Sequence, residues 1–433
     1  MLFRKATYFT IDYNKPYLSH EALAAHQLKR LRYVVARAYR NVPYYRNLFD
    51  QTGILPVDIN TLQDIRKIPI TRKDAVRNLD IAFRVNQRAS IDKLVEYETS
   101  GTTGQKMTIY CSKRDSDRRV STIFRTYVVH GYQPWHKIAV FQFFPIPESL
   151  SSKFKLFKRI SIPFELSIAD QIEMLQKIQP QVLEGYPSRL NLLSEKIMRE
   201  NIIGIKPKLV FTNSEKITSA IRRKLLRAFG VEPIDVYDCW ECGNIAWECD
   251  THEGLHINAD QVYVEIVTEN QVVADGDPGE IVITDLYNQT MPLIRYAIGD
   301  IGTKKKSLCS CGRNFPLLEM SVGRGAEMIY LHGGDQKVSA SVVTSYLDEQ
   351  KGFWDYQIVQ YEYGEIDVKV VLNKQLSIEL TDQLEKKICT KFKLDRATIK
   401  CVGQIDRTAA GKAKDFISMV DDGVHENPKN QNH

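Results

Sequence analysis

Thr99-Ser100-Gly101-Thr102-Thr103-Gly104 is the sharpest local signal in this chain of 433 residues. We call it the phosphate loop, and it directly follows a candidate strand at residues 93–97. Its glycines let the backbone turn tightly, so that several N–H groups face one anion, and its hydroxyls add donors. The G-x-x-x-x-G-K-[ST] pattern of the P-loop is absent, so another kind of phosphate site is predicted. Taken alone, a Ser/Thr/Gly hexapeptide is more often an ordinary surface loop.

Short apolar runs alternate with helical stretches around this loop, as far as about residue 240. Alternation of this kind predicts an α/β architecture with a parallel sheet. Strands are predicted at 137–144 and 182–183, and helices within 21–52 (ending near Pro43) and at 168–178 and 188–200.

The character of the sequence changes after residue 255. Alternating apolar and polar residues at 262–267, 271–274 and 279–284 predict a β-meander with tight turns. Beyond residue 324, a small α+β lobe is expected from two helices and two strands. These are predicted at 341–349, 354–361, 366–372 and 376–392. The predicted domains are therefore residues 1–323, a large α/β lobe with parallel sheet and meander, and residues 324–433, a small and mobile α+β lobe.

Composition excludes several classes of protein. The chain is 43% hydrophobic and carries a formal net charge of +6 from 59 basic and 53 acidic residues, a mild excess over this length. It suits an anionic ligand such as a nucleotide, although ordinary surface charge explains it equally well. No apolar run reaches 18 residues and no secretory signal is visible, so we expect no membrane span and a cytoplasmic location. Nucleic-acid binding has little support because basic tails and RNP-like aromatic motifs are absent.

Several motifs in the family's order give the chain a family resemblance. TSGTTG is similar to the signature of the acyl-adenylate-forming superfamily, and five further segments agree with it. The segments of residues 41–46 and 68–73 resemble the phenylacetate–CoA ligase branch, especially its relatives in capsular polysaccharide gene clusters (CapK-like). The others are a ribose-binding segment at 285–296 with Gly299-Asp300, a hinge start at Gly323-Arg324, and a C-terminal Gly411-Lys412.

The resemblance implies an ATP-dependent ligase that activates a carboxylic acid as its acyl-AMP, with ATP and Mg²⁺ as cofactors. Thr99 to Gly104 would then hold the β- and γ-phosphates. Tyr237 would pack on adenine, and Glu241 would bind the Mg²⁺. Asp238 and Trp240 depart from the family's Y-G-x-T-E pattern in this segment. On chemistry alone, Tyr237 is equally well a core aromatic.

Three further residues receive roles from the resemblance. Asp300 would accept two hydrogen bonds from the ribose diol, although a turn aspartate is the plain alternative. Arg324 would reach ribose or phosphate, and Lys412 would bridge the carboxylate and the α-phosphate as the catalytic lysine. Segments 184–188 and 213–215 correspond to an acid-binding cavity and a nucleotide-pocket loop, but neither identifies the acid.

A second site is predicted from cysteine spacing. Thiolates and an imidazole suit tetrahedral Zn²⁺, and a closed set of four ligands would be structural. The predicted ligands are Cys249, His256, Cys309 and Cys311, with His252 as the substitute. Relatives in the phenylacetate–CoA ligase branch have a similar arrangement. Simple buried cysteines are an equally probable interpretation, because C-x-C is not the usual knuckle spacing.

The hinge limits what the resemblance implies. The family's G-R-x-D-D is replaced by Gly323-Arg324-Gly325-Ala326-Glu327, which lacks the first aspartate. That aspartate helps the small lobe rotate, so transfer of the acyl group is open between coenzyme A, a carrier-protein thiol and an amine. A catalytically silent nucleotide-binding scaffold in a biosynthetic complex is the alternative hypothesis.

Overall fold

The computed structural model describes residues 2–98, 107–142, 156–324, 328–334, 336–348, 353–372, 378–405 and 416–420. Among these, the α-helices are α1 (Leu2–Asp12), α2 (His20–Asn41), α3 (Pro43–Thr52), α4 (Lys73–Arg77), α5 (Ile81–Arg84), α6 (Lys113–Val129), α7 (Ile168–Ile178), α8 (Pro187–Arg199), α9 (Ser219–Phe229), α10 (Ala340–Asp348) and α11 (Ile378–Phe392). No helix in these ranges is long and apolar enough to cross a membrane.

The strands of the large lobe are β1 (Val95–Glu98), β2 (Thr108–Cys111), β3 (Ile138–Gln142), β4 (Arg159–Pro163), β5 (Val182–Gly185), β6 (Leu209–Asn213), β7 (Ile234–Cys239), β8 (Gly243–Glu248), β9 (Leu255–Ile257), β10 (Val262–Thr268), β11 (Gln271–Val272), β12 (Pro278–Asp285), β13 (Tyr296–Lys304) and β14 (Leu317–Arg324). Those that follow are β15 (Met328–Tyr330), β16 (Lys337–Ser339), β17 (Phe353–Glu362), β18 (Glu365–Leu372), β19 (Arg396–Cys401) and β20 (Phe416–Ser418).

One large sheet joins both halves of the first lobe. Its order among the described strands is β11-β10-β12-β13-β14-β9-β8-β7-β6-β5-β3-β4. Strands β4, β3, β5, β6 and β7 pair in parallel, whereas every pair from β7 through β8 to β11 is antiparallel. The change of direction therefore falls at the hairpin between β7 and β8. Side chains from the carboxyl ends of the parallel strands meet there, which is where α/β sheets bind ligands.

Both faces of the parallel half are covered. On β3, Ala139 and Phe141 pack with the helices α7 to α9, while Ile138 and Val140 pack with Tyr127 of α6. Successive side chains of a strand point to opposite faces, so a strand buried on both sides is apolar throughout. The run Ile138-Ala139-Val140-Phe141 has this character, and all four residues are buried.

Local signals account for the helix ends. The Ser167 hydroxyl accepts from the backbone N–H of Asp170 at the start of α7, and α9 ends at Gly230 with φ of +78°. Such caps satisfy N–H and C=O groups that have no partner inside the helix. Helix α2 ends at Asn41, immediately before Val42 and Pro43, as predicted.

The small lobe has its own sheet and core. Its strand order is β19-β18-β17-β20, with β17 and β18 antiparallel and the outer pairs parallel. Helices α10 and α11 contribute Val343, Leu347 and Ile388 to its apolar core. The predicted fold class, a large α/β lobe with parallel sheet and meander plus a small α+β lobe, is confirmed. The sequence did not predict β19 and β20.

Candidate functional site

The turn between β7 and β8, residues 240–242, is the centre of the candidate site. We call it the β7–β8 turn. Cys239 pairs with Gly243 across the hairpin, so these three residues project from the end of the sheet. Gly243 has φ of +83°, and a Cβ atom there would lie 3.6 Å from Cγ of Arg119. The sharp turn thus needs glycine at its exit and packs against the side chain of Arg119.

Tyr237 and Asp300, both predicted to contact the nucleotide, lie together. The Tyr237 hydroxyl donates a hydrogen bond of 2.8 Å to Oδ2 of Asp300. Burial, followed by the charge of Asp300, raises the pKa of Tyr237 well above its ordinary value, so the phenol stays protonated and donates. Asp300 also stands opposite Arg324 in the backbone register of β13 and β14. Tyr237, Asp300 and Arg324, which belong to three different strands, are therefore brought to one end of the large sheet.

Glu241 is a buried carboxylate, 7% exposed, on the same turn. Its Oε1 lies 3.4 Å from Nζ of Lys73 and 3.4 Å from the Tyr296 hydroxyl. Lys73 is brought here because Thr71 exchanges backbone hydrogen bonds with Arg295 and Ala297 at the start of β13. Burial and the charge of Glu241 raise the pKa of Tyr296. The Glu241 carboxylate contacts one cation and one phenol, and both contacts are long. Its oxygens can therefore still bind an added cation.

Arg119 on α6 forms hydrogen bonds with the backbone of the β7–β8 turn. Its guanidinium donates to the carbonyl oxygens of Trp240, at 2.9 Å, and of Glu241. Asp285 lies 3.8 Å away, and its pKa is raised by burial. Burial lowers the pKa of Arg119, but neighbouring thiols and Asp285 outweigh this and raise it, so the guanidinium is charged. Two forked donors on consecutive carbonyls fix the backbone that carries Glu241.

An aromatic pair borders this turn on the solvent side. Trp240 is 54% exposed, and its ring stacks on that of Tyr97 with centroids 6.1 Å apart. Tyr97 belongs to β1, which pairs with β2 up to Glu98 and Thr108. The phosphate loop, Thr99 to Gly104, lies between these strands but outside the described residues, as does Lys412. The strands that flank the phosphate loop are thus anchored beside the β7–β8 turn.

A polar cluster lies at the ends of β5 and β6, the predicted acid-binding side. Glu184 accepts hydrogen bonds from the Tyr127 hydroxyl at 2.5 Å, from Arg159 at 3.0 Å and from Asn213 at 3.2 Å. Burial raises the pKa of Tyr127 strongly, so this phenol is a donor. Glu215, in the loop after β6, accepts from the backbone N–H and the hydroxyl of Ser188 at the start of α8. The two predicted segments, 184–188 and 213–215, are therefore in direct contact.

The four predicted zinc ligands form one cluster. Cys249, His256, Cys309 and Cys311 bring their ligand atoms within 4.8 Å of one another. The Sγ atoms of Cys249 and Cys309 are 3.5 Å apart, and Sγ of Cys311 lies 3.3 Å from Nε2 of His256. Zinc–sulfur bonds of about 2.3 Å at a tetrahedral angle place two sulfurs roughly 3.8 Å apart, so the cluster fits the ion. Nδ1 of His256 faces the Phe315 carbonyl at 3.3 Å, which leaves Nε2 for a metal.

His252, the substitute ligand, is not in this cluster. Its Nδ1 lies 3.1 Å from a carboxylate oxygen of Glu248. Sequence reasoning also missed three residues that contact the β7–β8 turn, namely Arg119, Lys73 and Tyr296. Lys73 is the last residue of segment 68–73, and Tyr296 is the last residue of segment 285–296. Both segments carry the family resemblance, so the resemblance was a signal that could have identified these two residues. Arg119 carries no such signal, because it is one of several basic residues on an amphipathic helix.

Comparison with known proteins agrees with the predicted resemblance. No protein-family profile matches the chain. It is 27% identical to phenylacetate-coenzyme A ligase of Escherichia coli, over 87% of this chain and 88% of that one. Identity to the Thermus thermophilus enzyme of the same name is 25%, covering 93% and 98%. Protein CapK of Staphylococcus aureus is 26% identical, covering 88% and 86%. The resemblance to phenylacetate–CoA ligases and CapK is thereby confirmed.

Solved structures agree at the level of the fold. A 2-hydroxyisobutyryl-CoA ligase in its postadenylation state, in complex with 2-HIB-AMP, superposes with a TM-score of 0.77 at 20% identity, covering 90% of this chain and 88% of that one. The same ligase with 2-HIB-AMP and CoA, in its thioesterification state, gives a TM-score of 0.64 and covers 94% and 91%. The architecture is therefore that of acyl-CoA ligases of the adenylate-forming type.

Proposed function

We propose that this chain is an ATP-dependent adenylate-forming ligase. It activates a carboxylic acid as acyl-AMP, releases pyrophosphate and transfers the acyl group to coenzyme A. The observation that carries the proposal is the convergence of Tyr237, Asp300 and Glu241 at the β7–β8 turn, beside the strands that flank the phosphate loop. Nearly full-length similarity to phenylacetate–CoA ligases supports the same activity.

Adenylation joins two anions, a carboxylate and the α-phosphate of ATP. A site for this reaction supplies positive charge and fixed donors where negative charge develops. We assign Asp300 to the ribose hydroxyls, with its orientation fixed by Tyr237, and Tyr237 to the face of adenine. Arg324 contacts ribose or phosphate in the same proposal. The phosphate loop binds the β- and γ-phosphates.

Glu241 is the proposed ligand of Mg²⁺. Its buried carboxylate offers the hard oxygen that this ion prefers, and its present contacts are long. When bound, the ion neutralises phosphate charge. Arg119 keeps the Glu241 backbone in place, and Lys73 adds a positive charge 3.4 Å from the carboxylate. Lys412 of the small lobe supplies the cation that bridges the attacking carboxylate and the α-phosphate.

The proposed domains are residues 1–323 and 324–433. Strand β14 of the large sheet ends at Arg324, and the small lobe has its own sheet and core, which supports a hinge at this position. Rotation of a small lobe about such a hinge separates adenylation from acyl transfer. The thiol of coenzyme A is the proposed acceptor, and a carrier-protein thiol or an amine is the alternative for the second step.

The Cys249–His256–Cys309–Cys311 cluster is proposed to hold a structural Zn²⁺. Three thiolates and one imidazole close a tetrahedral set without a free position for substrate. The ion would join β9 to the loop between β13 and β14. We also propose a cytoplasmic location, where the thiolates that hold the ion stay reduced.

Acid-dependent exchange between ATP and labelled pyrophosphate tests the proposal. We expect exchange with one class in a panel of aryl, fatty, amino and hydroxy acids. Lys412→Ala and Asp300→Ala should each abolish most of it, whereas Lys391→Ala, a lysine of α11, should retain it. Measurable ATP binding without exchange for any acid in the panel would favour the silent scaffold instead.

A further inference from the structure

Cys239 and Cys242 lie on either side of Glu241, and the proposed mechanism uses neither thiol. Their Sγ atoms are 3.5 Å apart, and the backbone N–H of Cys242 donates to Sγ of Cys239 at 3.4 Å. Both residues are half-buried, and the neighbouring Trp240 is 54% exposed. The pair is thus close together at a turn that solvent reaches.

The spacing of the two sulfurs is near that of a disulfide. A disulfide bond is about 2.05 Å long, so the sulfurs need to approach by roughly 1.5 Å. Cys239 ends β7, whereas Cys242 belongs to the turn, so Cys242 has fewer backbone hydrogen bonds to resist the movement.

We propose that Cys239 and Cys242 form a reversible disulfide that lowers the adenylation activity of the protein. The oxidant is a low-molecular-weight disulfide of the glutathione type. The Cys242 thiolate attacks one sulfur of that disulfide and displaces a small-molecule thiolate. The Cys239 sulfur then attacks the Cys242 sulfur and displaces the second. Two cysteine protons pass to the two released thiols, so two thiols and one disulfide give one protein disulfide and two small-molecule thiols.

The order of attack is assigned from the position of each cysteine in the hairpin. Cys239 pairs with Gly243 at the end of β7, whereas Cys242 lies in the turn. Cys242 is the first nucleophile and Cys239 the resolving cysteine.

Closing the disulfide would disturb the site through the turn backbone. Arg119 donates to the carbonyls of Trp240 and Glu241, the two residues between the cysteines. Drawing Cys242 toward Cys239 moves these carbonyls away from their donors and shifts the Glu241 carboxylate. A displacement of about 1 Å at a reacting centre costs up to roughly 100-fold in rate. This consequence rests on the proposed function, whereas disulfide formation does not.

The test uses the full chain equilibrated in glutathione buffers of increasing oxidised fraction, with free thiols trapped before peptide mapping. We expect a Cys239–Cys242 cross-link, seen as a loss of about 2 Da, with bound zinc unchanged. Pyrophosphate exchange should fall about tenfold or more in parallel and return with dithiothreitol. Cys239→Ser and Cys242→Ser should stay active in oxidising buffer, whereas Cys401→Ser should lose activity like the parent chain. Thermal unfolding of each variant verifies that it is folded.

Absence of the cross-link at every glutathione ratio would overturn the proposed modification. A cross-link that forms while exchange stays constant would overturn its effect on activity. If the fully reduced protein shows no exchange with any acid, the proposed function fails, and peptide mapping still decides whether the cysteine pair is a modification site.

Discussion

The hydroxyl of Tyr237 donates a 2.8 Å hydrogen bond to Asp300, which is 63 residues further along the chain. One residue ends a parallel half-sheet and the other lies on an antiparallel strand, so the bond joins the two halves of the large sheet. It fixes the orientation of the carboxylate that we assign to ribose. A preoriented acceptor loses less conformational entropy when the diol binds.

Asp300→Asn should therefore weaken use of ATP with little change in acid dependence. The amide keeps the shape but loses the charge that accepts both ribose hydroxyls, so kcat/KM for ATP should fall roughly 10- to 100-fold. Tyr237→Phe, which removes only the orienting donor, should cost about tenfold. Exchange kinetics with ATP varied at saturating acid measure both.

Tyr132→Phe is a matched control for the tyrosine change. Tyr132 is also buried, and its hydroxyl has no hydrogen-bond partner among the described residues. Loss of the Tyr132 hydroxyl should leave kcat/KM for ATP within about twofold of the parent value. Equal losses in both tyrosine variants would contradict the orienting role of Tyr237.

Arg119→Lys should raise the KM for Mg-ATP. Lysine keeps the charge but cannot donate to two consecutive carbonyls in a fixed fork, so the β7–β8 turn loosens. We expect a KM increase of about tenfold, together with a loss of roughly 1–3 kcal/mol in the free energy of unfolding. Exchange kinetics and urea unfolding measure the two effects.

Arg125→Lys separates catalysis from stability in that experiment. Arg125 lies on the same helix and forms a buried bidentate pair with Asp260 at 2.8 Å, away from the β7–β8 turn. The Arg125→Lys variant should lose a comparable amount of free energy of unfolding, while its KM for Mg-ATP stays unchanged. A raised KM in Arg125→Lys as well would mean that α6 acts only through general packing.

Removal of zinc should destabilise the chain. Cys309→Ser should lower the bound zinc from about one ion per chain and reduce the free energy of unfolding by about 4 kcal/mol or more, because the set closes a long loop. Metal analysis and urea unfolding are the measurements. Cys389→Ser in the small lobe should retain the ion. A purified parent protein that holds no zinc after refolding with the ion would refute the assignment.

Asp235 should contribute to the pH dependence of the free energy of unfolding. Burial, with the neighbouring charge of Glu248, raises the pKa of Asp235 from 3.8 to about 7 in the folded chain. The folded state therefore binds more protons than the unfolded state between these values. The contribution of Asp235 to stability is fully present below about pH 4 and is lost as the pH rises to about 7.

Asp235→Asn should flatten that part of the profile. The amide cannot ionise, so the variant should gain stability relative to the parent as the pH rises from 5 to 8. Urea unfolding at four pH values measures the difference. Parallel profiles for the two proteins would show that Asp235 is ionised in the folded state.

Elements with strong local signals could be predicted from the sequence. Helix α7 begins after Ser167 and spans Ile168–Ile178 as predicted, because its cap and its apolar spacing are both local. The zinc set was also accessible, since only a few residue types bind this ion and their spacing is restricted. The four side chains lie together in the structure.

Contacts between distant charged residues could not be predicted in the same way. Arg119 meets the carbonyl of Glu241 across 122 positions, and nothing in the pattern of α6 distinguishes it from Arg118 or Arg114. Lys73 reaches Glu241 because a backbone pairing at Thr71 places it there. Such contacts depend on how the sheet brings segments together, and periodicity within one segment does not encode that.

Direct detection of the acyl-AMP tests the central claim. The protein is mixed with ATP, Mg²⁺ and the acid that supports exchange, without coenzyme A. The reaction is quenched, and its products are identified and quantified by mass spectrometry. We predict one acyl-AMP and one pyrophosphate per active site, much less with Glu241→Gln, and conversion to the CoA thioester with release of AMP when coenzyme A is added. Formation of ADP, or an unchanged ATP pool with every acid despite ATP binding, would contradict adenylation by this chain.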